Sequence, residues 1–291
     1  MEAAQVIPGY GGVTGWAGLC WQGGRWFRGD DLWVDGEQSH RDVTVVTMLH
    51  ARHQPGIRVS EERLRPRDVV MVDGLPLTVA ARSVCFEARY APDLRSAVRV
   101  FDLAAYNDLV SLEECGEYVT YLNGWTGVPQ CREALALAEE NVWSPREVDM
   151  RLVWRGATGA RMRLLCNVPV FDLHGRFVGT PDLLDPVAGI VGEYDGGHHL
   201  AGAQRAKDVA REAELRATGL EYVTMLAADH PHTHQFERRL RDCIRRAERR
   251  PADERRWTLE RPAWWIPTDT VAQRRALTES QRARLLAHRL A

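Results

Sequence analysis

The pattern of apolar and polar positions changes character near residue 140. Before that point, short β-branched runs alternate with turn signals, and amphipathic stretches follow them. Residues 42–48 (DVTVVTM) read as a strand. Residues 56–59, 68–72 and 75–77 read as further short strands, the last two joined through the hairpin pair Asp73-Gly74. Residues 13–19 suit a short helix. Thr78 is placed to cap a helix over VAARSVCFEAR. Helices are then predicted over about 92–106, 112–122 and 131–140. Ala97, Val98, Phe101, Leu103 and Ala104 supply the apolar stripe of the first of these.

After residue 140 the pattern opens on Ser144-Pro145-Arg146-Glu147, a compact helix start. Serine serves as N-cap, proline takes the first helical position, and glutamate closes a capping box. This helix is predicted to end at about Arg155, ahead of Gly156 and Gly159. Residues 164–171, 177–185 and 190–195 read as a three-stranded antiparallel meander, turned at His174-Gly175 and at Asp185-Pro186. A helix over 204–218 ends on Gly219, a strand covers 221–226, and an Arg-rich helix covers 235–250. A last helix is expected over 270–290. Helix, three strands, helix and strand in that order predict an α/β domain with a mixed sheet. A smaller α+β domain precedes it. The expected divisions are 1–130, 140–250 and a C-terminal tail at 251–291.

Composition narrows the class without naming a function. At 45% hydrophobic and 27% charged residues the chain has the make-up of an ordinary globular protein. No apolar run approaches the ~20 residues of a membrane span, and the N-terminus lacks the basic and apolar regions of a secretory signal. The six cysteines are scattered with no C-x-x-C pair, which argues against a zinc site and a dense disulfide framework. A reducing cytoplasmic compartment is therefore expected, with no membrane partner. The net charge of −2 gives no general attraction for nucleic acid. From Glu237 onward, however, 15 Arg stand against 8 acids, a balance of +7 that leaves −9 on the rest. Lys207 is the sole lysine, so the arginine usage reflects a GC-rich genome more than phosphate recognition.

Candidate chemistry concentrates in 180–199, TPDLLDPVAGIVGEYDGGHH. On a strand Glu193 and Asp195 point to one face, and two acids there repel unless a cation or a proton sits between them. A hairpin returning through Asp185-Pro186 and Gly189 brings Asp182 toward both. Such an oxygen cluster suits Mg²⁺ or Mn²⁺. Each residue also has an ordinary reading. Asp182 follows a proline in a turn, Asp195 can close the Asp-Gly-Gly turn, and Glu147 can serve only as a capping acid. His199 or its neighbour His198 can act as an acid or base. Lys207 and Arg211 share a helix face that either meets a phosphate or pairs with acids such as Asp208. Arg238 and Arg245 belong to an Arg-rich face with the same two readings. His230, His232 and His234 read as a loop ahead of a helix. The tail tryptophans Trp257, Trp264 and Trp265 either stack on unpaired bases or pack on the core.

Glu147, Gly179-Thr-Pro-Asp182, Glu193-Tyr-Asp-Gly-Gly-His-His199 and then Asp208, Arg211, Leu215 and Gly219 follow one another at intervals that resemble a known group. These are the relatives of the very-short-patch mismatch-repair endonucleases, within the PD-(D/E)xK nuclease superfamily. The resemblance covers about 144–250. Pro55-Gly-Ile-Arg-Val59 and Gly74-Leu-Pro-Leu-Thr78, followed by Ala81-Arg-Ser83, resemble the region related to the AbiEi-type antitoxins of abortive-infection systems. The superfamily implies a restriction-endonuclease-like mixed sheet flanked by helices, and metal-dependent hydrolysis of phosphodiester bonds in DNA. It implies Asp182 as principal metal ligand, Glu193 as second acid and Glu147 as the helical acid. Asp195 stands where the superfamily has lysine, and His199 fits the histidine of the mismatch-repair branch. Phage defence, repair or a toxin–antitoxin pair is the implied setting, with DNA, a second copy or a toxin–antitoxin partner bound. The departure at Asp195 leaves a second reading, an inactive nuclease fold that binds nucleic acid or protein as a regulator.

Overall fold

In a computed structural model, the β-branched run at Val43–Thr47 forms a strand inside a five-stranded sheet. The structure describes residues 2–30, 32–34, 37–159, 164–196, 202–230 and 232–289, with the backbone alone at 32–34, 37–39, 202–208 and 252. The chain is a mixed α/β protein of two units, Met1–Glu140 with Thr270–Ala276, and Asn141–Asp269 with Leu277–Ala291.

In the first unit the sheet order is Ile57–Ser60, Val43–Thr47, Gly11–Thr14, Leu75–Thr78, Val69–Val72. Its core includes Val13, Val45, Leu75 and Leu77. Asp73 and Gly74 have φ of 50° and 80°, the left-handed pair that a two-residue hairpin of this twist needs. Two expectations are corrected here. Residues 11–14 form a central strand, and the helix is Gly15–Trp21, displaced because GGVT is buried between two neighbouring strands. Thr78 does not cap the next helix, Ala80–Tyr90. Its hydroxyl instead donates to Thr14 Oγ1 at 2.9 Å and shares a 2.7 Å hydrogen bond with Ser83 Oγ. Leu94–Tyr106, Leu112–Val119 and Val128–Leu137 complete the helical layer.

The second unit begins with α1 (Pro145–Thr158), which continues through Gly156 past its expected end. The strands are β1 (Leu165–Cys166), β2 (Val170–Asp172), β3 (Phe177–Gly179), β4 (Leu183–Asp185), β5 (Ile190–Asp195), β6 (Glu221–Leu226) and β7 (Trp257–Thr258). The expected meander is divided between two sheets. One has the order β6, β5, β4, β1, with β5 and β6 parallel and the other pairs antiparallel; the second has the order β3, β2, β7. The division has a local cause. Asn167 is left-handed, with φ of 48°, so the chain turns out of β1 after two residues and β2 joins another sheet. Val170, Val178, Leu184, Val191, Leu215, Leu220 and Trp257 form one buried cluster.

Helices fix the central strand. Trp154 of α1 lies so close to Gly192 that a Cβ there would stand 2.6 Å from its ring. β5 therefore needs glycine one residue before Glu193. Helix α2 (Gly202–Ala217) ends at Gly219, where φ is 91° and a Cβ would meet Glu254 O at 2.5 Å. Helix α3 (His234–Ala247) follows β6. The single helix expected over 270–290 is two short ones, Val271–Arg275 and α4 (Glu279–Leu285), because Thr278 starts a second capping box. Among the described residues, no helix is long and apolar enough to cross a membrane.

Candidate active site

Asp182 immediately precedes β4. Leu183 pairs with Gly192, so the next rung places Asp182 across from Glu193, on one face of the ladder. The Asp182 carboxylate accepts the Tyr194 N–H at 2.7 Å, which joins the two strands where their backbone pairing stops. Glu193 is only 7% exposed, and its Oε2 accepts a hydrogen bond of 2.9 Å from Arg211 on α2. Asp195 shares the strand face of Glu193 by its period of two, yet it is exposed at the end of β5.

Glu147 joins these acids from α1. Its N–H is capped by Ser144 Oγ at 3.2 Å, so half of the expected capping box is present. The other half is not closed onto Ser144. The carboxylate accepts from the Trp143 N–H at 2.8 Å and from Asn167 Nδ2 at 2.7 Å. The helix start thus aims an acid inward while remaining capped.

Asn167 is the hub that the sequence reading passed over. Its amide nitrogen donates to Glu147 and to Asn141 O at 2.8 Å, and its backbone N–H donates to Asp182 O at 3.0 Å. Two acceptors around Nδ2 fix the orientation of the amide. Oδ1 is left buried with no hydrogen-bond partner among the described residues. The one sign available in sequence was an asparagine between apolar runs, a residue enriched in left-handed turns.

Burial and mutual repulsion govern the electrostatics. Glu147 is pushed up to about 8, first by burial and then by the neighbouring Asp182 charge. Asp182 is raised to about 6 by burial, against the opposing pull of the Tyr194 N–H and of Arg211. Two acids in one dry site resist double ionisation, and a cation or a shared proton relieves that resistance. Among the described residues, no group of three or more His, Cys, Asp or Glu side chains is placed to hold a metal ion.

The remaining predicted residues divide clearly. His198 and His199 lie outside the described residues, and so does the Lys207 side chain, although Lys207 belongs to α2. Arg238 is exposed on α3, and Arg245 pairs with Asp242. Other cations of this region are also paired: Arg246 and Arg250 hold Glu221 at 2.9 and 2.5 Å, Arg239 holds Asp229, and Arg241 meets Glu237 at 3.2 Å. Much of the Arg-rich face is therefore internally neutralised. His230 hydrogen-bonds the buried Asp149 at 2.8 Å. Trp257 and Trp265 pack against the sheets, the latter stacked on Phe177 with ring centroids 5.4 Å apart, whereas Trp264 is 62% exposed.

No family model matches the chain, and no curated protein or solved structure matches it.

Proposed function

We propose that the second unit is a metal-dependent nuclease of restriction-endonuclease-like fold that hydrolyses phosphodiester bonds in DNA. The observation that carries this reading is the meeting of the buried Glu147 with the half-buried Asp182, both tied to Asn167, with Glu193 across from Asp182 on the next strand. Glu147 from the helix and Asp182 at the start of β4 are the two oxygen donors of the site, while Glu193 is engaged by Arg211. Two such acids suffice for Mg²⁺ or Mn²⁺, because Mg²⁺ is commonly held by one or two carboxylates and completed by water and substrate phosphate. A bound divalent ion supplies charge neutralisation at the phosphate and lowers the pKa of the attacking water.

The chain's own groups have separable tasks. Glu147 and Asp182 hold the ion, and Asn167 orients Glu147 through its amide. Arg211 occupies Glu193 in the absence of substrate, and transfers its hydrogen bonds to a phosphate oxygen when the strand arrives. Proton transfer at the water falls to Asp195 or His199, which single substitutions separate. Plasmid cleavage in Mg²⁺ or Mn²⁺ tests the reading. Wild-type protein nicks DNA and the Asp182→Ala, Glu193→Ala double variant does not. Absence of nicking by wild type, or equal nicking by both, removes the enzyme.

The ion pair between Arg211 and Glu193 favours a second reading, in which the acids are permanently satisfied and the unit only binds nucleic acid or protein. Calorimetric titration separates the two, since a purely binding unit takes up neither Mg²⁺ nor Mn²⁺ at Asp182.

A further inference from the structure

A cavity of about 390 Å³ opens beside the acids, entirely within the second unit. That volume lies toward the lower end of the ~300–1,000 Å³ range typical of small-ligand sites. Asn167 and Thr180 lie on its inner wall, while Trp143, Trp264 and Trp265 bring aromatic surface and Arg284 brings a cation. The same Asn167 holds Glu147 at 2.7 Å, so the cavity and the acid site share a wall.

We propose that this cavity receives a single unstacked nucleobase of the strand that the neighbouring acids cleave. Three features of the wall fit that occupant. Indole surfaces offer the sequence-tolerant stacking that any base accepts. Asn167 and Thr180 put polar side chains on the inner wall, which suits the polar edge of a base. Arg284 is exposed at the rim, where the 5′-phosphate of an inserted nucleotide emerges. Trp264 remains 62% exposed although its ring meets Phe171 with centroids 6.0 Å apart, so a face of it is available to a ligand. Taking a base out of the stack costs least where it is already unpaired or mismatched. The cavity thus directs cleavage to distorted or unpaired positions. This proposal rests on the nuclease reading for the identity of the strand, while its test needs no cleavage.

Calorimetric titration of the full-length chain in EDTA uses dAMP, dCMP, dGMP and dTMP, with deoxyribose 5-phosphate as the base-free control. A DNA hairpin with one bulged adenine and its fully paired counterpart form the second arm. Saturable binding of mononucleotides is expected, with little binding of the control. The bulged hairpin binds more tightly than the paired one, and dAMP competes with it. Trp264→Ala and Arg284→Gln, both at exposed positions, each weaken dAMP and the bulged hairpin about tenfold. Equal binding of deoxyribose 5-phosphate overturns the base pocket, as does unchanged affinity in both variants. Binding of dAMP with no preference for the bulged hairpin overturns the strand form of the proposal. If plasmid nicking is absent while nucleotide binding persists, the nuclease reading fails and the pocket stands.

Discussion

Replacing Glu147 by glutamine removes a charge that the fold holds at a cost. In the native state Glu147 is pushed up to about 8 from an ordinary 4.5 by burial and by Asp182. The native state therefore keeps a proton that the unfolded chain has lost across that window. Stability falls as pH rises from about 4.5 to about 8 and is level beyond. At roughly 1.4 kcal/mol per unit the penalty of ionisation approaches about 5 kcal/mol as a ceiling. Glutamine keeps an acceptor for the Trp143 N–H and for Asn167, and what those two hydrogen bonds give the charged form is already contained in the raised pKa. The expected net effect of Glu147→Gln is stabilisation approaching about 5 kcal/mol at pH 9, falling to under about 1 kcal/mol at pH 5, where the native acid is protonated. Scanning calorimetry in EDTA measures it. Of the transitions arising from two compact units, only that of the second should move. A variant that is equally stable or less stable than wild type at pH 9 refutes the reasoning, because Glu147 would then be a capping acid held comfortably ionised.

Three further outcomes follow from the same geometry. Gly192→Ala forces a methyl group to 2.6 Å from the Trp154 ring and lowers stability by about 1–3 kcal/mol, measured by denaturant unfolding; a neutral result means that α1 does not clamp β5. Arg211→Gln removes a cation from beside the acids, so Mn²⁺ binds up to about fivefold more tightly, the pair with Glu193 being partly exposed, while DNA cleavage slows. Weaker Mn²⁺ binding in that variant contradicts the assigned role of Arg211. At limiting metal, cleavage rises with pH toward about 8 as Glu147 ionises, and saturating metal moves that limb to lower pH; a limb that stays fixed across metal concentrations excludes Glu147 as a ligand.

Sequence patterning carried more of the fold than of the site. The hairpin at Asp73-Gly74, the Ser144 cap and the Gly219 helix end are each a residue type demanded by one backbone conformation, so local chemistry reveals them. The division of the meander was hidden, because strands of two and three residues carry no period and the break depends on one left-handed asparagine. Asp182 and Glu193 were legible from spacing, and their opposition across β4 and β5 follows from the turn between them. The inward turn of the Glu147 carboxylate was not legible, since a capping box and a site acid share one sequence pattern. The hydrogen bond that draws it inward comes from Asn167, twenty residues further along.

The central claim is that Glu147 and Asp182 together form a divalent-cation site. Titration of Mn²⁺ into the full chain at pH 7, followed by electron paramagnetic resonance of the free ion, addresses it most directly. The account predicts one Mn²⁺ bound per chain, released by excess Mg²⁺, and lost in both the Asp182→Asn and the Glu147→Gln variants. Mn²⁺ binding that survives in both variants, or no binding by the wild-type protein, contradicts it.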